Sequence, residues 1–141
     1  MIKRGSAVWN GRLKDGGGVV STQTGVLKDA PYGFKARFEN GPGTNPEELI
    51  AAAHAACFSM ALSLMLGEAG QTAKQIATQA AVTLEKVGGG FEIMSSHLDV
   101  TATIPGMDEA KFLEIANKAK LGCPVSKLLK AKITMDAKLA S

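Results

Sequence analysis

Leu49 to Gly67 contains no aspartate, glutamate, lysine or arginine, and this run constrains the fold more than any other stretch of the chain. A segment of roughly 19 uncharged residues is long enough to cross a bilayer as a helix. Its composition argues against that. Alanine dominates and contributes little insertion energy, while His54, Cys57, Ser59 and Ser63 each add a polar cost in lipid. A helix that is apolar on nearly every side and lies outside a membrane must be covered by protein. Its start is sharply marked. Asn45 suits the N-cap, Pro46 the first helical position, and Glu47 and Glu48 oppose the dipole of the first turn. The helix is expected to end at Gly67 or Gly70.

Around this helix the patterning is mostly that of strands. Lys3 to Leu13 and Val19 to Thr24 read as a hairpin across the Lys14–Gly18 turn. Asp29 to Gly33 reads as a loop. Phe34, Ala36 and Phe38 alternate with Lys35 and Arg37, which predicts a third strand with Arg37 on its polar side. Ala73 to Val87 and Phe91 to Ile104 form a long hairpin broken at Gly88-Gly89-Gly90. Asp108 caps a second helix with Phe112, Ile115, Ala116 and Ala119 as its apolar stripe. Gly122 ends it, and Cys123-Pro124 opens a short helix through about Leu129. Ile133 to Leu139 closes the chain as a strand. The order β-β-β-α-β-β-α-α-β argues an α+β fold with antiparallel pairing.

At 141 residues the expectation is a single domain spanning residues 1–141, large enough to fold without disulfides. The formal net charge is +3, with basic and acidic residues interspersed. A nucleic-acid footprint needs a dense basic patch, so no nucleic-acid partner is expected. Met1 to Asp15 shows no signal-peptide core, so the expected compartment is the cytoplasm. In a reducing compartment its two cysteines are either buried and inert or redox-active.

The chemistry rests on those cysteines. Cys57 lies mid-helix, with Ala53, His54, Met60 and Ala61 on its side. Burial alone raises a thiol's pKa and leaves it inert, so a nucleophilic Cys57 needs a cation from elsewhere. His54 is one local source, although a buried histidine satisfied by hydrogen bonds is the commoner arrangement. Arg37 is the other, since guanidinium stays charged when buried. Cys123 lies at a helix N-cap, where backbone N–H groups favour a thiolate. Local physics therefore ranks Cys123 as the more reactive thiol. Cys57 and Cys123 are too far apart in sequence for a zinc signature, and no phosphate loop or serine-hydrolase elbow is present.

Three stretches together carry a resemblance. Thr44-Asn45-Pro46-Glu47-Glu48-Leu49, Ala53-His54-Ala55-Ala56-Cys57-Phe58-Ser59 and Gly122-Cys123-Pro124-Val125-Ser126 resemble the osmotically inducible protein C (OsmC) and organic hydroperoxide resistance (Ohr) family. Pro31-Tyr32-Gly33-Phe34 and Arg37-Phe38-Glu39 draw the chain toward the OsmC branch. The resemblance implies an OsmC-like fold, with antiparallel sheets wrapped around central helices in an intertwined homodimer. It implies thiol-dependent reduction of organic hydroperoxides with no bound cofactor and no metal. By the same analogy Cys57 is the peroxidatic cysteine, Cys123 resolves it, Arg37 is directed at the thiolate and Glu47 orients Arg37. An external dithiol, lipoyl-type or thioredoxin-like, restores the thiols. The resemblance reverses the local ranking of the two cysteines. The alternative is a non-enzymatic module that senses redox state or binds a hydrophobic ligand.

One geometric expectation is independent of the family. Ten residues of helix place Glu47 and Cys57 ~15 Å apart along the axis. A glutamate side chain does not cover that distance, so a site containing both draws them from different chains.

Overall fold

In a computed structural model, residues 1–140 are described, and they divide into two compact units, Met1–Leu49 and Ile50 onward. The first unit holds a three-stranded antiparallel sheet of β1 (Gly5–Asn10), β2 (Gly17–Thr22) and β3 (Ala30–Tyr32), with β2 in the middle. Trp9, Gly18 and Tyr32 lie in one cross-strand row. The Trp9 and Tyr32 rings meet edge-on over the glycine, with centroids 5.4 Å apart. A Cβ at Gly18 would come within 2.5 Å of the Tyr32 ring and of the Val8 carbonyl, so only glycine fits beneath them.

Two expectations for this unit are corrected. Phe34–Phe38 is a short helix, α1, and the third strand is the preceding Ala30–Tyr32. Over five residues, Phe34 and Phe38 satisfy both an alternating face and an i, i+4 helical pair. Here they take the helical option, with ring centroids 4.9 Å apart. Pro31 is compatible with β3 because β3 is an edge strand of its sheet.

Asn45 joins α1 to the long helix α2 (Pro46–Glu68). Its side-chain oxygen accepts from the Glu48 N–H at 2.8 Å, and its amide donates to the Ala36 carbonyl at 2.8 Å. The expected N-cap is thus in place, and it also satisfies the end of α1.

The second unit holds the rest of α2 and a sheet ordered β4 (Gln75–Val87), β5 (Gly90–Thr103), β6 (Lys132–Ala140). β4 and β5 form the expected long hairpin, with an irregularity between Thr83 and Leu84. β6 runs parallel to β5, which corrects the expectation of antiparallel pairing throughout. The reason is the connection. α3 (Glu109–Gly122) and α4 (Pro124–Leu128) carry the chain back before β6 begins, and such a crossover permits a parallel neighbour. The Asp108 carboxylate caps α3 by accepting from the Lys111 N–H at 2.9 Å. One face of β5 supplies Leu98, Val100 and Ala102 to the core. They pack with Phe58, Leu62 and Leu66 of α2 and the predicted stripe of α3.

α2 is buried along one side only. His54, Phe58, Leu62 and Leu66 are fully covered, whereas Met60 and Leu64 are 75% and 64% exposed. Helical spacing separates these two sets.

Candidate functional site

The predicted site residues fall into two pairs, one in each unit. In the first unit, α1 carries Arg37 and the first turn of α2 carries Glu47. The guanidinium donates from Nη2 to Glu47 Oε1 at 2.7 Å and from Nε to both carboxylate oxygens at 3.1 Å. The Glu47 side chain is 11% exposed and that of Arg37 37% exposed. This is the geometry of an oriented guanidinium: one edge is anchored, and Nη1 lies outside the pair. Arg37 also sits over the Phe38 ring, 5.4 Å from its centroid. The expectation that Arg37 points from a polar strand face is therefore corrected. The helical turn brings it to Glu47. Beside it is an open pocket walled by Trp9, Tyr32, Phe34 and Phe38.

In the second unit, Cys57 of α2 and Cys123 at the start of α4 are free thiols. Cys57 packs against the core cluster that contains Cys123, and Cys123 is near enough to influence its ionisation. Cys57 lies on the border between the buried and exposed sides of α2 and is half-buried, whereas Cys123 is fully buried. Burial pushes the Cys57 thiol up from its ordinary range, and the neighbouring Cys123 adds to this. The Val125 backbone N–H acts in the opposite direction. No cation is among the groups that set it.

Cys123 does occupy the N-cap of α4, but its side chain makes no capping bond. The Val125 N–H in that first turn is turned toward Cys57 instead. The donor at this helix start thus acts on Cys57.

His54 is the core histidine that the commoner arrangement predicts. Nδ1 pairs with Ser96 Oγ at 2.6 Å and Nε2 with Ser126 Oγ at 2.8 Å. Burial lowers its pKa. A neutral ring bonded at both nitrogens is not a cation for Cys57. Phe58, the residue after Cys57, belongs to the core.

Sequence reasoning missed the Val125 N–H, Ser96, Ser126, Trp9 and Tyr32. The Cys-Pro-x-Ser spacing was the one available signal for Ser126, since it puts the hydroxyl one turn beyond Cys123. Away from the thiols, the ligand atoms of His97, Asp99 and Asp136 lie within 4.8 Å of one another. His97 already uses Nδ1 on Thr134 and Nε2 on Asp136, which is a complete hydrogen-bond set for a histidine.

Residues 39–138 match the family model described as OsmC-like protein. The chain belongs to the OsmC-like family. The matched segment runs across the boundary between the two units. The chain is 58% identical over 139 residues to "Peroxiredoxin OsmC" of Escherichia coli (strain K12), covering 99% of this chain and 97% of that protein. It is 32% identical over 101 residues to "Organic hydroperoxide resistance protein" of Xanthomonas axonopodis pv. citri (strain 306), covering 71% of this chain and 69% of that protein. Among solved structures, the organic hydroperoxide resistance protein OhrB of Bacillus subtilis matches with a TM-score of 0.69 and 27% identity, over 97% of this chain and 98% of that one. An OsmC-like protein from Mycoplasma pneumoniae matches in fold with a TM-score of 0.78 at 16% identity, over 100% of this chain and 99% of that one. The α+β architecture is thus that of the OsmC-like family.

Proposed function

We propose that this protein is a thiol peroxidase that reduces organic hydroperoxides to alcohols. The observation that carries the reading is the pairing of two free thiols, Cys57 and Cys123, brought together from α2 and the start of α4. The 58% identical relative is named a peroxiredoxin, and two others are named for organic hydroperoxide resistance, which supports the same chemistry.

In the cycle, the Cys57 thiolate attacks the distal oxygen of the hydroperoxide. The O–O bond breaks, sulfur is oxidised to sulfenic acid, and the alkoxide takes a proton and leaves as alcohol. The Cys123 thiol then displaces the sulfenic hydroxyl, forming a Cys57–Cys123 disulfide and water. An external dithiol reduces the disulfide by exchange. The free thiols and the need for a dithiol suit a reducing compartment such as the cytoplasm.

The first step needs a thiolate, and burial opposes one at Cys57. Arg37 supplies the missing charge in this reading, and it does so from a second copy of the chain. Glu47 holds Arg37 at the start of α2, and ten residues of the same helix, ~15 Å, separate Glu47 from Cys57. A homodimer that covers the exposed side of α2 at Met60 and Leu64 brings the guanidinium of one copy to the thiol of the other. The guanidinium then stabilises both the thiolate and the charge developing on the leaving oxygen. The aromatic pocket beside Arg37 accepts the organic tail, favouring alkyl and aryl hydroperoxides over hydrogen peroxide. We read the whole chain as one domain of that dimer.

Turnover with excess cumene hydroperoxide and dithiol tests the proposal. Cys57→Ser abolishes consumption of the hydroperoxide. Cys123→Ser permits one oxidation and then stops, with the sulfenic acid captured by dimedone. Wild-type protein that oxidises once and does not turn over with any dithiol is a sensor, and full activity in Cys57→Ser excludes the mechanism.

A further inference from the structure

His54 is fully buried and bonded at both ring nitrogens, yet the cycle above gives it no task. Its position relative to the two cysteines is regular. On α2 it lies three residues before Cys57, one turn away on the same face. Its partner Ser126 lies three residues after Cys123, one turn into α4. The His54–Ser126 bond and the Cys57–Cys123 contact are therefore two rungs between the same two helices. Ser96 of β5 fixes the ring from the other side, so the upper rung is anchored in the sheet.

α4 needs such an anchor. It has five residues, and its own backbone bonds, Lys127 N–H to the Cys123 carbonyl and Leu129 N–H to the Val125 carbonyl, fix its shape but not its placement. Disulfide formation is sensitive to placement. The Cβ atoms must come to ~4 Å, and the dihedral about the S–S bond must stay near a right angle. A ring closure of this kind loses rate steeply with misplacement of about an ångström.

We propose that His54, acting through the Ser126 hydroxyl, is a positioning residue that holds Cys123 against Cys57 and so sets the rate of the resolving step. The inference rests on the peroxidase reading. It separates the two half-reactions: attack on the hydroperoxide uses the Cys57 thiolate with Arg37, whereas condensation also requires Cys123 to be held against the sulfenic sulfur. The bond formed is Cys57 S–S Cys123, the bond broken is the sulfenic S–O, and the thiol proton leaves with the hydroxyl as water.

The experiment is a single turnover with one equivalent of cumene hydroperoxide, in wild type, Ser126→Ala, Ser126→Thr and His54→Asn. Hydroperoxide loss reports the first step. Disulfide appearance and dimedone capture report the second. In Ser126→Ala disulfide closure is expected to slow on the order of tenfold to a hundredfold, well beyond any slowing of the first step through the Val125 N–H, with the sulfenic adduct accumulating. Ser126→Thr restores the hydroxyl and brings closure back toward the wild-type rate. His54→Asn repeats the Ser126→Ala defect. If that variant does not fold, the Ala and Thr variants at position 126 decide alone. Closure at the wild-type rate in Ser126→Ala overturns the proposal, as does equal slowing of both steps without rescue by threonine. Wild-type protein that consumes no hydroperoxide overturns the peroxidase reading, and this inference with it.

Discussion

The Arg37 guanidinium grips both oxygens of the Glu47 carboxylate, with its shortest contact, Nη2 to Oε1, at 2.7 Å. Both residues belong to one chain, and Glu47 stands in the first turn of the helix that carries Cys57 further along. In the proposed dimer, the guanidinium anchored in this way serves the Cys57 of the second copy.

Mixed dimers test that arrangement. Arg37→Met alone should lower hydroperoxide reduction by about a hundredfold or more, and Cys57→Ser alone should abolish it. A purified dimer of one Arg37→Met chain and one Cys57→Ser chain contains one intact site of two. It should regain about half of the wild-type rate. A mixed dimer as inactive as its parents would show that Arg37 and Cys57 of one chain work together.

Thiol alkylation reads the charge on Cys57 directly. Burial and the neighbouring Cys123 raise its pKa, and the proposed guanidinium brings it back down. Iodoacetamide should react with Cys57 before Cys123, because Cys123 is fully buried. In Arg37→Met the alkylation rate near pH 7 should fall about tenfold for each unit by which the thiol pKa rises, and the titration midpoint should move to higher pH. An unchanged midpoint removes Arg37 from thiol activation.

The His54 network has a signature in acid. Burial lowers the His54 pKa below the 6.5 of a free histidine. As pH falls through 6.5 the unfolded chain takes up a proton that the folded chain refuses. The contribution is complete above that pH and is lost below it, at no more than about 1.4 kcal/mol per pH unit. Thermal melts of wild type and His54→Gln between pH 5 and 8 should converge toward acid. Parallel curves would mean that His54 titrates alike in both states.

Asp108 offers a control that touches stability without chemistry. Its carboxylate accepts from the Lys111 N–H at 2.9 Å, at the end of α3 away from Cys123. Asp108→Ala should cost about 1 kcal/mol and lower the melting temperature by a few degrees, with the peroxidase rate unchanged at 25 °C. A loss of rate out of proportion to stability would mean that the α3 cap transmits to the thiols.

Much of the scaffold was legible because its signals are local and long. The Asn-Pro-Glu start of α2 and the Asp108 cap are read from neighbouring residues, and the apolar stripe of α3 repeats one preference over several turns. α1 was misread because five residues with Phe at both ends fit a strand and a helix equally well. The direction of β6 was misread because parallel or antiparallel pairing depends on where α3 and α4 return the chain, not on the residues of the strand. At the candidate site, Cys57, Cys123 and Arg37 stand out on local chemistry and the family resemblance adds Glu47 and the roles, whereas Ser126 is signalled only by its spacing from Cys123, and Ser96 and the Val125 N–H carry no signal. Their roles come from partners far away in sequence.

By itself, the sequence determined that the uncharged helix needs a covered side and that α3 carries an apolar stripe, since burial follows from side-chain chemistry and period. The tertiary structure decided which cysteine receives the Val125 N–H, that His54 is spent on two hydroxyls, and that Arg37 is clamped by Glu47. A hydrogen bond or a pKa depends on atoms a few ångströms away, and those neighbours are set by how the elements pack rather than by their order in the chain.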